Sequence, residues 1–98
     1  MAEIIWTRPA LDELNEIADY IAVANLAAAQ KLVQTIFDKT ERLETHPESG
    51  RVPPEIPTLN YREIVVSPCR IFYKLDGNRL FILHVMRQEQ DLRRFLLI

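Results

Sequence analysis

The side chains best able to do chemistry are seven arginines and a lysine in the back half of the chain: Arg51, Arg62, Arg70, Lys74, Arg79, Arg87, Arg93 and Arg94. The planar guanidinium fork matches phosphate and carboxylate oxygens. Several of them on one face would therefore suit an anionic surface. Against five acids, residues 51–98 carry a net +3, whereas residues 1–50 set four cations against nine acids for a net −5. The whole-chain charge of −2 gives no general pull toward nucleic acid, but a local basic face can act alone. Proton-transfer groups are scarcer. Gln88 exchanges no proton at neutral pH, and Glu89 would do so only with a raised pKa. Cys69 is a lone thiol without a neighbouring histidine, so it lacks the partner a nucleophile needs and reads as a small, semi-buried apolar residue. His46 and His84 form no metal spacing with it. Gly50 and Gly77 are the only glycines, too few for a phosphate-cradling loop. No metal or cofactor is expected.

These groups need elements to position them. Glu3-Ile4-Ile5-Trp6 is a short apolar run of strand formers. Thr7 is placed to cap a helix, with Pro9 tolerated in the first turn. Leu11, Leu14, Ile17, Ala18 and Ile21 then recur at helical spacing, with Asp12, Glu13, Glu16 and Asp19 on the other face. This predicts an amphipathic helix of roughly four turns whose early acids suit its positive end. Asn25 offers a new N-cap. Ala29, Leu32, Val33, Ile36, Phe37, Thr40 and Leu43 predict a second helix ending near Thr45-His46, before Pro47. The short link implies an antiparallel hairpin. Residues 47–59 hold four prolines and Gly50 and read as a restricted loop.

Three strands follow, near 60–66, 69–75 and 79–87, broken by Ser67-Pro68 and by an Asp76-Gly77 turn. The expected fold class is α+β: a strand, a helix hairpin, and a three-strand antiparallel meander, with both helices on one face of an antiparallel sheet. The expected core is Trp6, Leu14, Ile17, Ile21, Leu32, Ile36, Leu43, Ile71, Tyr73 and one alternating set, even or odd, of the last strand.

Length and composition fit a single domain, residues 1–98, with the balance of an ordinary globular protein. One cysteine allows no internal disulfide, the apolar runs are too short to span a bilayer, and Glu3 interrupts any leader-like opening. A cytoplasmic location and no membrane association are expected. The bland readings of the charged residues stand beside the functional ones. Arg62, Arg70 and Glu63 can be cross-strand partners that hold register, Arg51 can bond loop carbonyls, and the front-half acids can be solvated helix faces.

Taken in order, these segments resemble toxins of the ParE/RelE superfamily. The likeness runs from Trp6 to about Leu92. It is carried by Leu14-Asn15-Glu16-Ile17-Ala18-Asp19-Tyr20-Ile21, Pro47-Glu48-Ser49-Gly50-Arg51-Val52-Pro53-Pro54-Glu55, Tyr61-Arg62-Glu63-Ile64-Val65-Val66, Arg70-Ile71-Phe72-Tyr73-Lys74-Leu75-Asp76-Gly77 and Ile82-Leu83-His84-Val85. The resemblance implies a small toxin of a type II toxin–antitoxin pair. Such a toxin is held inactive by a cognate antitoxin that binds it directly, and it meets DNA only through that antitoxin. ParE-type members inhibit DNA gyrase; RelE- and YoeB-type members cleave mRNA on the ribosome.

The resemblance places Glu55 where YoeB-like toxins carry a base and Arg70 where they bind phosphate. The RNA-cutting set would then be Glu55, Arg70 and Glu89. The His or Tyr that those relatives carry at the end of the last strand is replaced by Met86-Arg87-Gln88-Glu89, and this favours gyrase inhibition. ParE relatives often carry a His near position 87 and an aromatic near 69, where this chain has Arg87 and Cys69. On the gyrase reading, the contact residues are Arg70, Arg87, Arg93 and Arg94, and their charge reversal is expected to spare the fold. The apolar tail Phe95-Leu96-Leu97-Ile98 is expected to dock on the sheet edge or at an interface. A plain interaction domain with decayed toxicity is the third reading.

Overall fold

Strand β1 (Glu3–Trp6) leads straight into helix α1 (Arg8–Ala24), which turns at Asn25 into α2 (Leu26–Glu41) and a 3-10 turn at Arg42–Glu44. Strands β2 (Arg62–Val66), β3 (Cys69–Asp76) and β4 (Arg79–Arg87) complete the computed structural model, which describes residues 1–93. The expected α+β order of strand, helix hairpin and antiparallel meander is present. Among the described residues the sheet order is β1-β4-β3-β2.

One expectation about the sheet fails: β1 joins β4 in parallel, from Glu3↔Arg79 to Trp6↔Ile82. The helices explain this. Helix α1 continues in the direction of β1, and α2 runs back until Glu44 accepts a hydrogen bond from Ala2 N–H at 2.9 Å. The meander therefore starts at the level where β1 starts. Its up-down-up course leaves β4 running beside β1 in the same direction.

The helix ends follow side-chain chemistry, with one departure. Asn25 caps α2 as expected, its Oδ1 accepting from Ala28 N–H at 3.0 Å, a contact worth about 1 kcal/mol. Thr7 makes no such cap. Its hydroxyl donates instead to the Ile82 carbonyl at 2.7 Å, pinning the strand-to-helix junction to β4. The first turn of α1 holds no acid, because Asp12 and Glu13 lie one turn further in. Helix α2 stops at Glu41, short of the expected His46, and tightens into the 3-10 turn. The β3–β4 turn is Gly77-Asn78, one residue later than expected, with Gly77 at φ +62°, a conformation that favours glycine.

The main core lies between helices and sheet and includes Leu14, Leu32, Ile36, Leu43, Ile71 and Tyr73 as expected. Trp6, Ile17 and Ile21 pack against it half-buried, Trp6 with its ring 4.9 Å from Phe37. The last strand does not keep one parity. The register jumps between Phe72↔His84 and Tyr73↔Ile82, leaving Leu83 as an extra residue. Leu80 and Ile82 face the helices before this bulge and Val85 after it, so both alternating sets contribute. A second cluster, Ile56, Phe72, Met86 and Leu92 with Tyr61 against it, covers the other face of the sheet. Among the described residues no helix is long and apolar enough to cross a membrane.

Candidate functional site

The second sheet face owes its cover to a loop held from both sides. Tyr73 lies in the core, yet its hydroxyl accepts from Gly50 N–H at 2.9 Å and donates to the Pro47 carbonyl at 2.8 Å. Burial pushes the Tyr73 hydroxyl above its usual range, against the smaller pull of the Gly50 N–H and the Arg62 charge. A Cβ on Gly50 would stand 2.5 Å from that oxygen, so the close approach requires glycine. Arg62 donates to the carbonyls of Glu48 (3.1 Å) and Gly50 (2.8 Å). The loop-carbonyl role considered for Arg51 thus belongs to Arg62. Arg51 instead forms a two-way backbone bridge with Glu63, at 2.9 and 2.8 Å, and its Nε donates to the Glu63 carboxylate at 3.0 Å.

So anchored, the loop carries Glu55 over Arg70 of β3. The Arg70 Nε donates to Glu63 Oε1 at 2.8 Å, and its terminal nitrogens grip Glu55 bidentately at 2.7 and 2.6 Å. The remaining N–H groups go to the Gln90 carbonyl at 2.9 Å and Glu63 Oε2 at 3.3 Å. A guanidinium has five N–H donors, and all five are engaged here. The side chain of Arg70 is 7% exposed, that of Glu55 13% and that of Glu63 fully buried. Phe72 lies under the guanidinium, its ring centre 4.8 Å away. Glu55 also accepts from Leu92 N–H at 3.1 Å. Two carboxylates thus face two guanidiniums, those of Arg70 and Arg51, and the cluster is neutral.

This geometry sets the chemistry. The Arg70 hydrogen bonds, outweighing desolvation and aided by Leu92 N–H, lower the Glu55 pKa to about 2. The same contacts, led by Glu55, push Arg70 above its usual range. Glu55 is a firm anion and a weak base.

A polar cleft of about 380 Å³ opens beside the cluster, lined by Glu55, Arg70, Val65, Glu89 and Gln90 among others. The structure therefore brings Glu55, Arg70 and Glu89 together around one cleft, with Glu89 exposed at its rim. Of the arginines of the gyrase reading, the three described ones, Arg70, Arg87 and Arg93, do not share one surface. Arg70 is buried and saturated. Arg87 lies toward α1, its guanidinium 4.6 Å from the Tyr20 ring centre. Arg93 is exposed and pairs with Asp91 at 2.7 Å, and this contact holds the Asp91 carboxyl at about 2. Arg94 and the apolar segment 95–98 lie outside the described residues.

Other residues fall into structural places. Cys69 is fully buried rather than semi-buried, and burial raises its thiol pKa against the pull of Arg87. His84 sits half-buried with Nδ1 3.2 Å from Glu13. Sequence reasoning paired Glu63 with Arg62 and Arg70 but missed that it joins Arg70 to Arg51. The available signal was its place between Tyr61 and Ile64, where alternation puts a carboxylate on a covered face.

Comparison with known proteins agrees with this architecture. Residues 4–92 match the family model described as the ParE toxin of the type II toxin–antitoxin system parDE. The chain is 34% identical over 89 residues to a protein named Toxin RelE2 from Caulobacter vibrioides, covering 89% of this chain and 92% of that one. It also resembles a solved chain from the chromosomal ParDE toxin–antitoxin system of P. aeruginosa, with a TM-score of 0.75 and 26% identity over 91% of this chain and 98% of that one. A family match across nearly the whole chain, on a fold that this solved structure shares, leads to one conclusion: the chain belongs to the ParE toxin family of type II toxin–antitoxin systems.

Proposed function

We propose that this toxin arrests its host by binding DNA gyrase in the cytoplasm, without cutting RNA, and that a cognate antitoxin neutralises it. The observation that carries the reading is the closed state of the Arg70 cluster. RNA cleavage by 2′-hydroxyl attack needs a base of useful strength, a cation free to meet phosphate, and an acid for the leaving oxygen. Glu55, at a pKa of about 2, is a poor base. Arg70 has every N–H engaged. Gln88, at the end of the last strand, transfers no proton. Losing one general acid or base typically costs ~10²–10⁴-fold in rate, and here more than one role is unfilled. Inhibition by binding needs no proton transfer, only a surface.

One observation favours a second reading: Glu55, Arg70 and Glu89 share a cleft, as a RelE-like ribonuclease would need. The two readings separate in a paired assay. Purified chain is added to gyrase in a supercoiling and cleavage-complex assay, and to translating ribosomes with a reporter mRNA. Gyrase is expected to be inhibited and the mRNA to stay intact. Cleavage in the ribosomal A site with gyrase unaffected would establish the ribonuclease instead.

A further inference from the structure

Of the arginines tied to the gyrase reading, Arg70 is saturated and Arg93 is spent on Asp91. Arg87 differs from both. No carboxylate pairs with its guanidinium among the described residues. Its backbone is nevertheless fixed. It ends β4, lies opposite Cys69 in the ladder, and donates its N–H to Gln90 Oε1 at 3.0 Å. The guanidinium rests 4.6 Å from the centre of the Tyr20 ring.

The course of α1 brings Tyr20 there. The helix runs beside β4 in the same direction, and Glu13 accepts from Val85 N–H at 3.1 Å. Tyr20 lies about two turns further along the same flank, where it meets Arg87. Ile17 and Ile21 of this stretch turn to the core. Tyr20 and Val23 do not: they are 68% and 90% exposed. Residues three apart are neighbours on a helix surface, so an aromatic ring, an aliphatic side chain and an unanswered cation stand side by side.

Such a trio suits recognition of a protein. Tyrosine and arginine dominate binding hot spots. Contact between the ring and the guanidinium restrains both side chains before a partner arrives, which lowers the ordering cost of binding. Glu16 and Asp19, exposed on the same part of α1, repel a phosphate backbone and disfavour nucleic acid. The matching surface offers a carboxylate to Arg87 beside an apolar pocket for Tyr20 and Val23, with cations facing Glu16 and Asp19.

We propose that Tyr20, Val23 and Arg87 form the centre of the surface with which this toxin holds gyrase. The inference rests on the gyrase reading above and names its contact.

The test measures binding of the full chain to purified gyrase, together with inhibition of supercoiling. Tyr20→Ala and Arg87→Glu are each expected to weaken both by about tenfold or more. Tyr20→Phe, which keeps the ring, should stay within about threefold of the parent. Val23→Asp places a charge at a site so exposed that the fold is indifferent to it, and should also weaken binding by about tenfold. Arg8→Glu, exposed at the opposite end of α1, should change affinity less than about twofold. Circular dichroism and thermal melts report the fold of each variant separately.

If the parent inhibits gyrase and Tyr20→Ala or Val23→Asp inhibits it equally, the inference is overturned and the gyrase reading stands. A parent that neither binds nor inhibits gyrase overturns both. A patch whose variants lose only self-association, or only binding to DNA without gyrase, has a different occupant, and that result overturns the inference as well.

Discussion

Arg70 illustrates how burial changes what a residue can do. An exposed arginine on β3 could meet a target, and its reversal would spare the fold. Under the 51–61 loop it instead joins β3, the loop and residues 90–92 through two carboxylates, and the expected tolerance to reversal gives way. Removing one partner of a buried ion pair leaves an uncompensated charge, so Arg70→Ala is expected to destabilise the chain by roughly 3–5 kcal/mol. Urea unfolding checks this. Arg70→Lys should recover little, because one ammonium cannot replace a fork that serves two carboxylates. The same pair makes stability depend on acid. Glu55 titrates near 4.5 unfolded and about 2 folded, so its contribution is complete above pH 4.5 and disappears as pH falls toward 2. Glu55→Gln should lower stability at neutral pH and flatten the decline across that window, read as the thermal midpoint against pH.

At the scale of elements, the loop between α2 and β2 does the positioning. Tyr73 holds it from inside the core through Gly50 and Pro47, and Arg62 holds it from the strand. Tyr73→Phe would leave the Gly50 N–H and Pro47 carbonyl without that partner, a cost of about 1–3 kcal/mol. Gly50→Ala should cost at least as much, because its Cβ would also stand 2.8 Å from the Glu63 carbonyl, a backbone atom that cannot swing aside. Both variants should raise hydrogen exchange in residues 47–56 before the helices respond, and simultaneous loss throughout the molecule would refute this ordering. The helix hairpin was legible from sequence because its signals are local: a 3.6-residue apolar period and an Asn25 cap. The loop was not, because its partners are 12 to 26 residues away along the chain.

At the scale of the whole molecule, the back-half cations among the described residues fall into separate roles rather than one face. Arg62 and Arg70 hold structure, and Arg51 bonds the Glu63 carboxylate. Arg87 and Arg93 are the members of the expected gyrase-contact set that reach solvent in the described residues, toward α1 and beyond β4 respectively. Reversing Arg87, Arg93 and Arg94 together is therefore expected to abolish growth arrest while shifting the unfolding midpoint little, since surface substitutions usually change stability by no more than about 0.5 kcal/mol. Toxicity assays beside thermal melts test this, and full toxicity in the triple variant would remove these arginines from the contact surface. Deleting residues 95–98 is the companion experiment. If it lowers partner binding, the tail acts at an interface; if it lowers only thermal stability, the tail closes the core.

The sequence alone determined the α+β class, the order of elements, the helix hairpin, the meander and most of the core, because each of these follows from nearest-neighbour propensity or short-period patterning. The family likeness was equally legible, since it rests on motif order. Tertiary structure decided the rest. The parallel placement of β1 depends on the direction in which α1 leaves the sheet. The change of face in β4 comes from one bulged residue, which no alternation rule reveals. The fate of Arg70 depends on Glu55 and Glu63, at 15 and 7 residues' distance along the chain, meeting on a covered sheet face. That a guanidinium is spent on structure, or left free to act, is fixed by which carboxylates the fold brings within 3 Å of it.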